Sequence, residues 1–323
     1  MTHSDHLPEW QPDSALKGFD TTVLTVESGG QTLIATLVRA ANNPPAAKRA
    51  VLYIHGLTDY FYQTHLAAAF RTEGYAFYAI DLHAYGRSLQ PDQLPNLCGS
   101  ISDYYPELTA AIDTIKATGV EQLVINGHST GALIASLYAH EGEKRHAIDA
   151  LFLNSPFFDF PTKGLEKMLV KAAAILGKKF PRLAVSRGVP SLYAKTIYQG
   201  LKGEWDYNTD WKPPQGFPLY AGWIRAVVAA HKRVQQGLNI QCPILIMHSA
   251  RSLRTLKWSE EATRADIVLN IEHMRRYGPG LGEQVSIEAV DDALHDLVLS
   301  AAPVRRALFV TLFAWLDKTL GEI

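Results

Sequence analysis

The sequence predicts an α/β fold, in which a mostly parallel, twisted sheet carries helices on both faces and is interrupted by a helical insertion. Three observations predict this class. Apolar runs of strand length alternate with helical segments over the first half of the chain, which is typical of a parallel sheet. The alternation stops near Pro156 and returns after Gly237. A glycine-rich turn also joins one apolar run directly to a helix.

The first half begins with a hairpin and continues with βα units. Two runs that flank the turn residues 28–31 predict an antiparallel hairpin, at residues 21–27 and 32–39. Continuous apolar runs, as expected for strands buried on both faces, predict further strands at residues 50–54, 75–82, 122–126 and 148–153. Helices are predicted at residues 65–73, 103–118 and 130–140.

Residues 156–237 contain no apolar run that predicts a buried strand. They hold amphipathic segments at 164–176 and 221–234 and are rich in aromatic residues. Strands are predicted again at 243–248 and 284–290, followed by a closing helix at 303–319. We therefore predict a core domain made of residues 1–155 and 238–323, with residues 156–237 inserted as a helical domain.

Composition and charge exclude several classes of partner. With 31 Lys+Arg against 32 Asp+Glu, the formal net charge is −1, which gives no reason to expect nucleic acid or an anionic membrane. We expect no signal peptide and no integral membrane segment, and by default a cytoplasmic location. The two cysteines, Cys98 and Cys242, are too few for a disulfide framework or a structural zinc site. No metal or organic cofactor is implied, and the oligomeric state stays open.

The segment Gly127-His128-Ser129-Thr130-Gly131 carries the sharpest chemical signal. It reads G-x-S-x-G between an apolar strand and a small-residue helix, the context in which such a turn presents a serine nucleophile. The glycines let neighbouring backbone pass closely, and the helix start offers N–H groups to a developing negative charge. The alternative is a small-residue turn with a serine N-cap, which this context disfavours.

A serine hydroxyl is a poor nucleophile without a base, and twelve histidines compete for that role. His295 follows the last predicted strand and precedes the final helix, where the base belongs when the nucleophile comes first in the chain. The alternative for His295 is a solvated loop histidine. His248, at the end of a strand, is the second candidate for the base. The ring of His128 is expected to turn away from Ser129 into the strand–helix packing.

These residues resemble the α/β-hydrolase superfamily, and within it the capped serine hydrolases that include monoacylglycerol lipases, lysophospholipases and serine aminopeptidase-like hydrolases. The resemblance covers about residues 20–320 and also rests on His55-Gly56, on residues 81–88 and on residues 266–269. It implies an α/β-hydrolase fold whose insertion forms a cap over the nucleophile. It also implies an oxyanion hole made by the backbone N–H groups of Leu57 and Thr130. Residues predicted to contact the substrate are His55, Gly56, Tyr60 and His128.

The resemblance points to Asp266 as the acid of the triad, because Asp266-Ile267-Val268 matches the family pattern after the penultimate strand. The interval from His248 to Asp266 is longer than is usual in the family. Asp266 is also a candidate N-cap for a helix at residues 267–277. Asp291 and Asp292 are the alternative acids, although a strand end is expected to leave them solvated.

The predicted activity is hydrolysis of a small-molecule carboxylic ester through an acyl-enzyme on Ser129, as in a carboxylesterase or a monoacylglycerol lipase. The same triad could instead cleave a thioester or an amide, or transfer the acyl group to another alcohol. A catalytically silent scaffold that serves as a binding protein is the alternative outside enzymes. Aromatic residues of the insertion, together with Tyr60, Phe61 and Tyr62, are expected to border an apolar acyl pocket, with packing as the alternative. Asp81 and residues 86–88 are expected to tie their loop under the active site.

Overall fold

A computed structural model describes residues 9–186 and 192–321 of the chain. Its strands, in chain order, are β1 (Gln11–Pro12), β2 (Phe19–Ser28), β3 (Gln31–Ala40), β4 (Arg49–Ile54), β5 (Tyr75–Asp81), β6 (Gln122–His128), β7 (Ala150–Asn154), β8 (Ala184–Ser186), β9 (Leu219–Tyr220), β10 (Ile244–Ser249) and β11 (Val285–Val290). Its α-helices are α1 (Thr64–Thr72), α2 (Tyr105–Lys116), α3 (Thr130–Glu141), α4 (Gly164–Leu176), α5 (Leu192–Ile197), α6 (Ala221–Gln235), α7 (Ile271–Tyr277) and α8 (Ala302–Leu320).

The main sheet has nine described strands in the order β1-β2-β3-β5-β4-β6-β7-β10-β11. The six strands from β5 to β11 in this order pair in parallel, and β1, β2 and β3 extend one edge in antiparallel fashion. The predicted hairpin and the mostly parallel sheet are thus confirmed. Strands β5 and β7 are buried along their whole length, because helices cover both faces of the sheet. This burial explains why they are apolar runs without alternation.

Two hydrophobic clusters, one on each face, hold the helices to the sheet. Helices α2, α3 and α6 contribute Leu108, Leu133 and Val227 to one cluster. Helices α1 and α8 contribute Phe70 and Leu312 to the other. In this arrangement the loops after β4, β6, β10 and β11 meet at the carboxyl edge of the parallel strands, where α/β proteins place their ligands.

Between β7 and β10, residues 156–186 and 192–237 form α4, α5, α6 and a small antiparallel sheet of β8 and β9. Helix α6 buries one face, including Trp223. Within Gly164–Leu176 no residue is buried, and Leu165, Met168 and Ile175 are exposed by 66% or more. The assignment of residues 156–237 to a cap domain stays a prediction. No helix in the described part of the chain is long and apolar enough to cross a membrane.

The helix predicted at residues 267–277 is shorter than expected, and its cap differs. Helix α7 begins at Ile271, and its N-cap is Asn270, whose side chain accepts the N–H of Glu272. Asp266 is therefore not the helix cap. Its Oδ1 instead accepts the N–H groups of Val268 and Leu269 at 2.8 and 2.7 Å, which forms a separate turn before the helix.

Candidate active site

Ser129 lies in a sharp turn between a strand and a helix. Strand β6 ends at His128 and helix α3 begins at Thr130, so one residue joins the two elements. The backbone of Ser129 has φ 54° and ψ −112°, a conformation that is unfavourable for a residue other than glycine. Its N–H donates to the carbonyl of Asn154 at 3.0 Å, which helps to hold the turn against this strain.

The two glycines of the motif are required by close packing. A Cβ atom on Gly131 would lie 2.3 Å from the carbonyl oxygen of Ile54, in the neighbouring strand β4. A Cβ atom on Gly127 would lie 2.6 Å from Cα of Ala132, in helix α3. Any larger residue would push the helix away from the sheet and displace Ser129 with it.

A chain of hydrogen bonds joins Ser129, His295 and Asp266. Nε2 of His295 is 3.0 Å from Oγ of Ser129, and Nδ1 of His295 is 2.9 Å from Oδ2 of Asp266. His295 is 3% exposed and Asp266 is fully buried, so neither side chain is free to adopt another orientation. The same geometry is expected of a nucleophile, its base and a carboxylate that orients the base, so these residues form a candidate triad.

The other candidates for the base and the acid lie elsewhere. Asp291 and Asp292 are exposed, as expected for a strand end, and it is Asp266 that bonds Nδ1 of His295. His248 is buried at the end of β10, where its Nδ1 bonds the carbonyl of Ser249 at 2.7 Å. The structure therefore brings together Ser129, His295 and Asp266, and leaves the alternatives apart.

The predicted oxyanion residues border the same space as Ser129. Gly56, Leu57 and Thr130 line one cavity with Ser129 and His295. Thr130 is the first residue of α3, so its N–H has no acceptor within the helix. A Cβ on Gly56 would lie 3.3 Å from Cβ of Ser129, which shows how closely the loop after β4 packs against the serine. The absence of a side chain at Gly56 permits this approach.

Two of the four predicted substrate contacts do not line this cavity, and the structure explains why. The ring of His55 lies within the loop, where Nδ1 bonds the carbonyl of Gly56 at 2.8 Å and Nε2 accepts the N–H of Leu82 at 3.1 Å. The hydroxyl of Tyr60 accepts the N–H of Asn208 at 2.7 Å. His55 and Tyr60 therefore hold backbone segments in place. Gly56 and His128 do line the cavity.

His128 combines the two expectations stated for it. Its Nδ1 bonds the carbonyl of Asn154 at 3.3 Å, within the strand packing, yet its ring also borders the cavity. The ring centroids of His128 and His295 are 4.9 Å apart. Burial, and secondarily the neighbouring His295, lowers the pKa of His128 to about 3. His128 is therefore neutral at pH 7 and adds no charge beside the triad.

The cavity has a volume of about 400 Å³ and its walls are mainly apolar. Residues of the insertion make up much of the lining, including Phe157, Phe160, Ile197, Tyr207, Phe217, Leu219 and Trp223. By contrast, Tyr60, Phe61 and Tyr62 were expected to border it and do not. The ring of Phe61 is buried in the hydrophobic core, where it packs against Phe19 and Phe77.

Asp81 and Arg87 tie the loop after β5 to the loop after β4, as expected. Oδ1 of Asp81 accepts the N–H of Phe61 at 2.9 Å. Nη1 of Arg87 donates to Oδ2 of Asp81 at 2.8 Å and to the carbonyl of Phe61 at 3.0 Å. Arg87 also bonds Asp13. This buried network fixes the residues that follow the predicted oxyanion loop.

Two buried polar groups beside the candidate triad were not predicted from the sequence. Asp296 accepts hydrogen bonds from Asn154 at 2.7 Å and Gln63 at 3.3 Å, and burial raises its pKa. Asp59 pairs with Lys212 of the insertion at 2.6 Å. Adjacency to His295 was a signal for Asp296. No local pattern links Asp59 to Lys212, which lies 153 residues away.

A family model described as serine aminopeptidase, S33, matches residues 45–252, and the chain belongs to this hydrolase family. No curated protein matches the chain. Among solved structures, a soluble variant of monoglyceride lipase from Saccharomyces cerevisiae, in complex with a substrate analog, is similar with a TM-score of 0.68. The identity is 17%, over 93% of this chain and 96% of that one.

Two further structures are similar over most of their length. A monoacylglycerol lipase from Paleococcus ferrophilus has a TM-score of 0.62 and 19% identity, covering 83% of this chain and 94% of that one. Est1E from Butyrivibrio proteoclasticus has a TM-score of 0.54 and 16% identity, covering 93% and 99%. These likenesses establish the α/β-hydrolase fold.

Proposed function

We propose that the protein is a serine hydrolase that cleaves carboxylic esters through an acyl-enzyme on Ser129. The observation that carries this proposal is the hydrogen-bonded chain Asp266–His295–Ser129, with Ser129 in a strained turn that borders a cavity. Membership of a hydrolase family supports it. A catalytically silent scaffold is disfavoured, because a binding protein has no need of this buried alignment.

The reaction proceeds in two half-reactions. Nε2 of His295 accepts the proton of Ser129 as Oγ attacks the ester carbonyl, and the N–H groups of Leu57 and Thr130 bind the resulting oxyanion. His295 then returns this proton to the departing alcohol, which leaves an acyl group on Ser129. Next, His295 deprotonates a water molecule that attacks the acyl group, and the proton passes back to Ser129 as the acid is released. These steps require no cofactor.

The substrate side of the proposal follows from the cavity wall. The insertion supplies mainly aromatic and aliphatic side chains, so the acyl part of the ester is expected to be apolar where it meets them. We infer a carboxylesterase or an enzyme resembling a monoacylglycerol lipase, with residues 156–237 as its cap. Cleavage of thioesters or amides and acyl transfer would use the same residues.

The test is covalent labelling of the nucleophile. A fluorophosphonate should label Ser129, and peptide mapping should locate the adduct there. Ser129→Ala should abolish labelling and lower ester turnover by several orders of magnitude while the protein remains folded, because triad members act as a unit. Ser102→Ala, a change at an exposed position of a short 3₁₀ helix, is the matched control and should retain labelling. An adduct on another residue, or a fully active Ser129→Ala protein, contradicts the proposal.

A further inference from the structure

A buried ion pair lies in the lining of the cavity that Ser129 borders. Nζ of Lys212, from the insertion, donates to Oδ1 of Asp59 at 2.6 Å, and the two side chains are 11% and 4% exposed. Asp59 is two residues beyond Leu57 in the loop after β4, and both members of the pair line the cavity. A charged pair in a mainly apolar lining is costly unless further hydrogen bonds satisfy it.

The ammonium group of Lys212 has more N–H donors than it has hydrogen-bond acceptors among the described residues. A lysine ammonium carries three N–H donors, and Asp59 takes one of those of Lys212. Around Nζ lie the rings of Tyr62 and Tyr207, with centroids at 5.4 and 5.6 Å. In the described part of the chain, the hydroxyls of these two tyrosines are buried without a hydrogen-bond partner. Burial raises the pKa of both, so each remains a protonated donor.

Asp59, Lys212 and Tyr207 form a polar end of the cavity, which is close to the proposed triad. Carboxylate oxygens of Asp59 and Asp296 and a ring nitrogen of His128 all lie within 4.8 Å of one another. The ring of His128 is in turn 4.9 Å from that of His295, whose Nε2 bonds Ser129. An ester with its carbonyl at Ser129 therefore has atoms a few bonds away that can reach this end.

We propose that Lys212 and Asp59 bind a neutral oxygen of the substrate, a hydroxyl or a carbonyl a few bonds from the scissile ester. This inference rests on the proposed function and narrows its substrate class to oxygenated esters. A hydroxyl accepts from Lys212 and donates to Asp59, and a carbonyl accepts from Lys212 and Tyr207, which lines the cavity. An anionic group is disfavoured, because Asp59 already neutralises Lys212 and Asp296 adds a second carboxyl group nearby.

The oxygen can belong to the acyl part or to the alcohol part of the ester, and matched substrates separate the two. The parent is butyl hexanoate. One set carries a hydroxyl or ketone at successive carbons of the acyl chain, a second carries a hydroxyl on the butyl group, and a third carries a carboxylate. The rate of hydrolysis is measured from the carboxylic acid that is released. We expect at least one neutral oxygenated ester to exceed the parent in kcat/KM by about tenfold to a hundredfold, as for hydrogen bonds to charged groups.

Substitution of the lysine tests whether the pair causes that preference. Lys212→Met should lower the ratio of kcat/KM for the oxygenated ester to that for the parent ester to about one, and Tyr207→Phe should lower this ratio in part where the preferred oxygen is a carbonyl. Lys232→Met, on the exposed side of α6, is the matched control and should retain the full preference. Binding of the same ester pairs to Ser129→Ala, measured by calorimetry, tests the site independently of turnover.

Three results overturn the inference. The first is a wild-type protein that shows no preference for any neutral oxygenated ester. The second is an equal loss on parent and oxygenated esters in Lys212→Met, which would make the pair a structural tie between insertion and core. The third is a preference for the carboxylate-bearing ester. Failure of the proposed function looks different, since no ester would be cleaved and no fluorophosphonate adduct would form on Ser129.

Discussion

Ser129 and His295 are 166 residues apart in the chain, yet Oγ of one lies 3.0 Å from Nε2 of the other. Ser129 and Asp266 of the proposed triad are held in place by different means. The backbone of Ser129 is fixed by the strand and helix on either side of it. Asp266 uses Oδ1 to accept two backbone N–H groups and keeps Oδ2 for His295. The orientation of the imidazole therefore depends on one carboxylate oxygen.

Asp266→Asn tests this dependence. The amide N–H₂ of asparagine donates to Nδ1 of His295, which moves the ring proton to Nε2, so that Nε2 can no longer accept the proton of Ser129. We expect kcat for a butyrate ester to fall by about 10⁴. Asp291→Asn is the matched control and should stay near wild-type activity, because Asp291 is exposed. If Asp291→Asn proves the more damaging change, the acid has been assigned wrongly.

At the scale of the elements, the sequence predicts well wherever a local pattern decides the structure. Strands buried on both faces are apolar runs, and the turn around Ser129 is recognisable because both flanking elements are visible in sequence. The predicted limits of α4 match its observed limits, Gly164–Leu176. The predicted start of α7 at residue 267 was wrong, because the turn made by Asp266 precedes the helix, whereas the predicted end at Tyr277 was correct.

Side-chain direction was the part that sequence could not supply. Tyr60, Phe61 and Tyr62 follow the loop after β4, and proximity alone suggested a pocket wall. In the structure the network of Asp81 and Arg87 fixes the backbone of Phe61, which turns its ring into the core. The pairing of elements distant in sequence sets such directions. The contact between Asp59 and Lys212 could not be predicted for the same reason, because it joins elements that are distant in sequence.

Because the insertion supplies an apolar wall to the cavity, we expect kcat/KM to depend on the length of the acyl chain. Each methylene that meets the apolar wall adds at most about 0.8 kcal/mol, or about fourfold in kcat/KM. Specificity should therefore rise from acetyl to medium-chain esters and then fall, because the cavity holds only about 400 Å³. Acetyl, butyryl, octanoyl and palmitoyl esters of nitrophenol measure this profile. A steady decline from acetyl onward is incompatible with a deep acyl pocket.

A variant that fills the cavity should move the optimum. Leu219 lines the cavity, so Leu219→Trp should shift the preferred acyl chain to shorter lengths. Val310, which is 72% exposed on α8, provides the matched control, and Val310→Trp should leave the profile unchanged. The same optimum in Leu219→Trp and wild type would show that the acyl chain does not run along this wall.

For the molecule as a whole, buried histidines couple folding to pH. Burial is the main reason why the pKa of His128 and that of His231 are lowered to about 3, and that of His65 to about 4. In the unfolded chain a histidine has a pKa of about 6.5. Between these values the unfolded state binds protons that the folded state excludes, so the stability present above about pH 6.5 is lost as the pH falls. The raised pKa values of Glu107 and Asp296 oppose this trend.

The contribution of one buried histidine to the pH dependence of stability can be measured at His231, which lies outside the proposed triad. It lies on α6, packed edge-on against Phe157 and Phe160, and is only 3% exposed. His231→Phe should lower the slope of unfolding free energy against pH by about 1.4 kcal/mol per pH unit between about pH 6 and pH 4, the equivalent of one proton. Urea unfolding at a series of pH values gives this slope. His146→Gln, at an exposed position, should leave it unchanged, and an unchanged slope in His231→Phe would mean that His231 is protonated in the folded state.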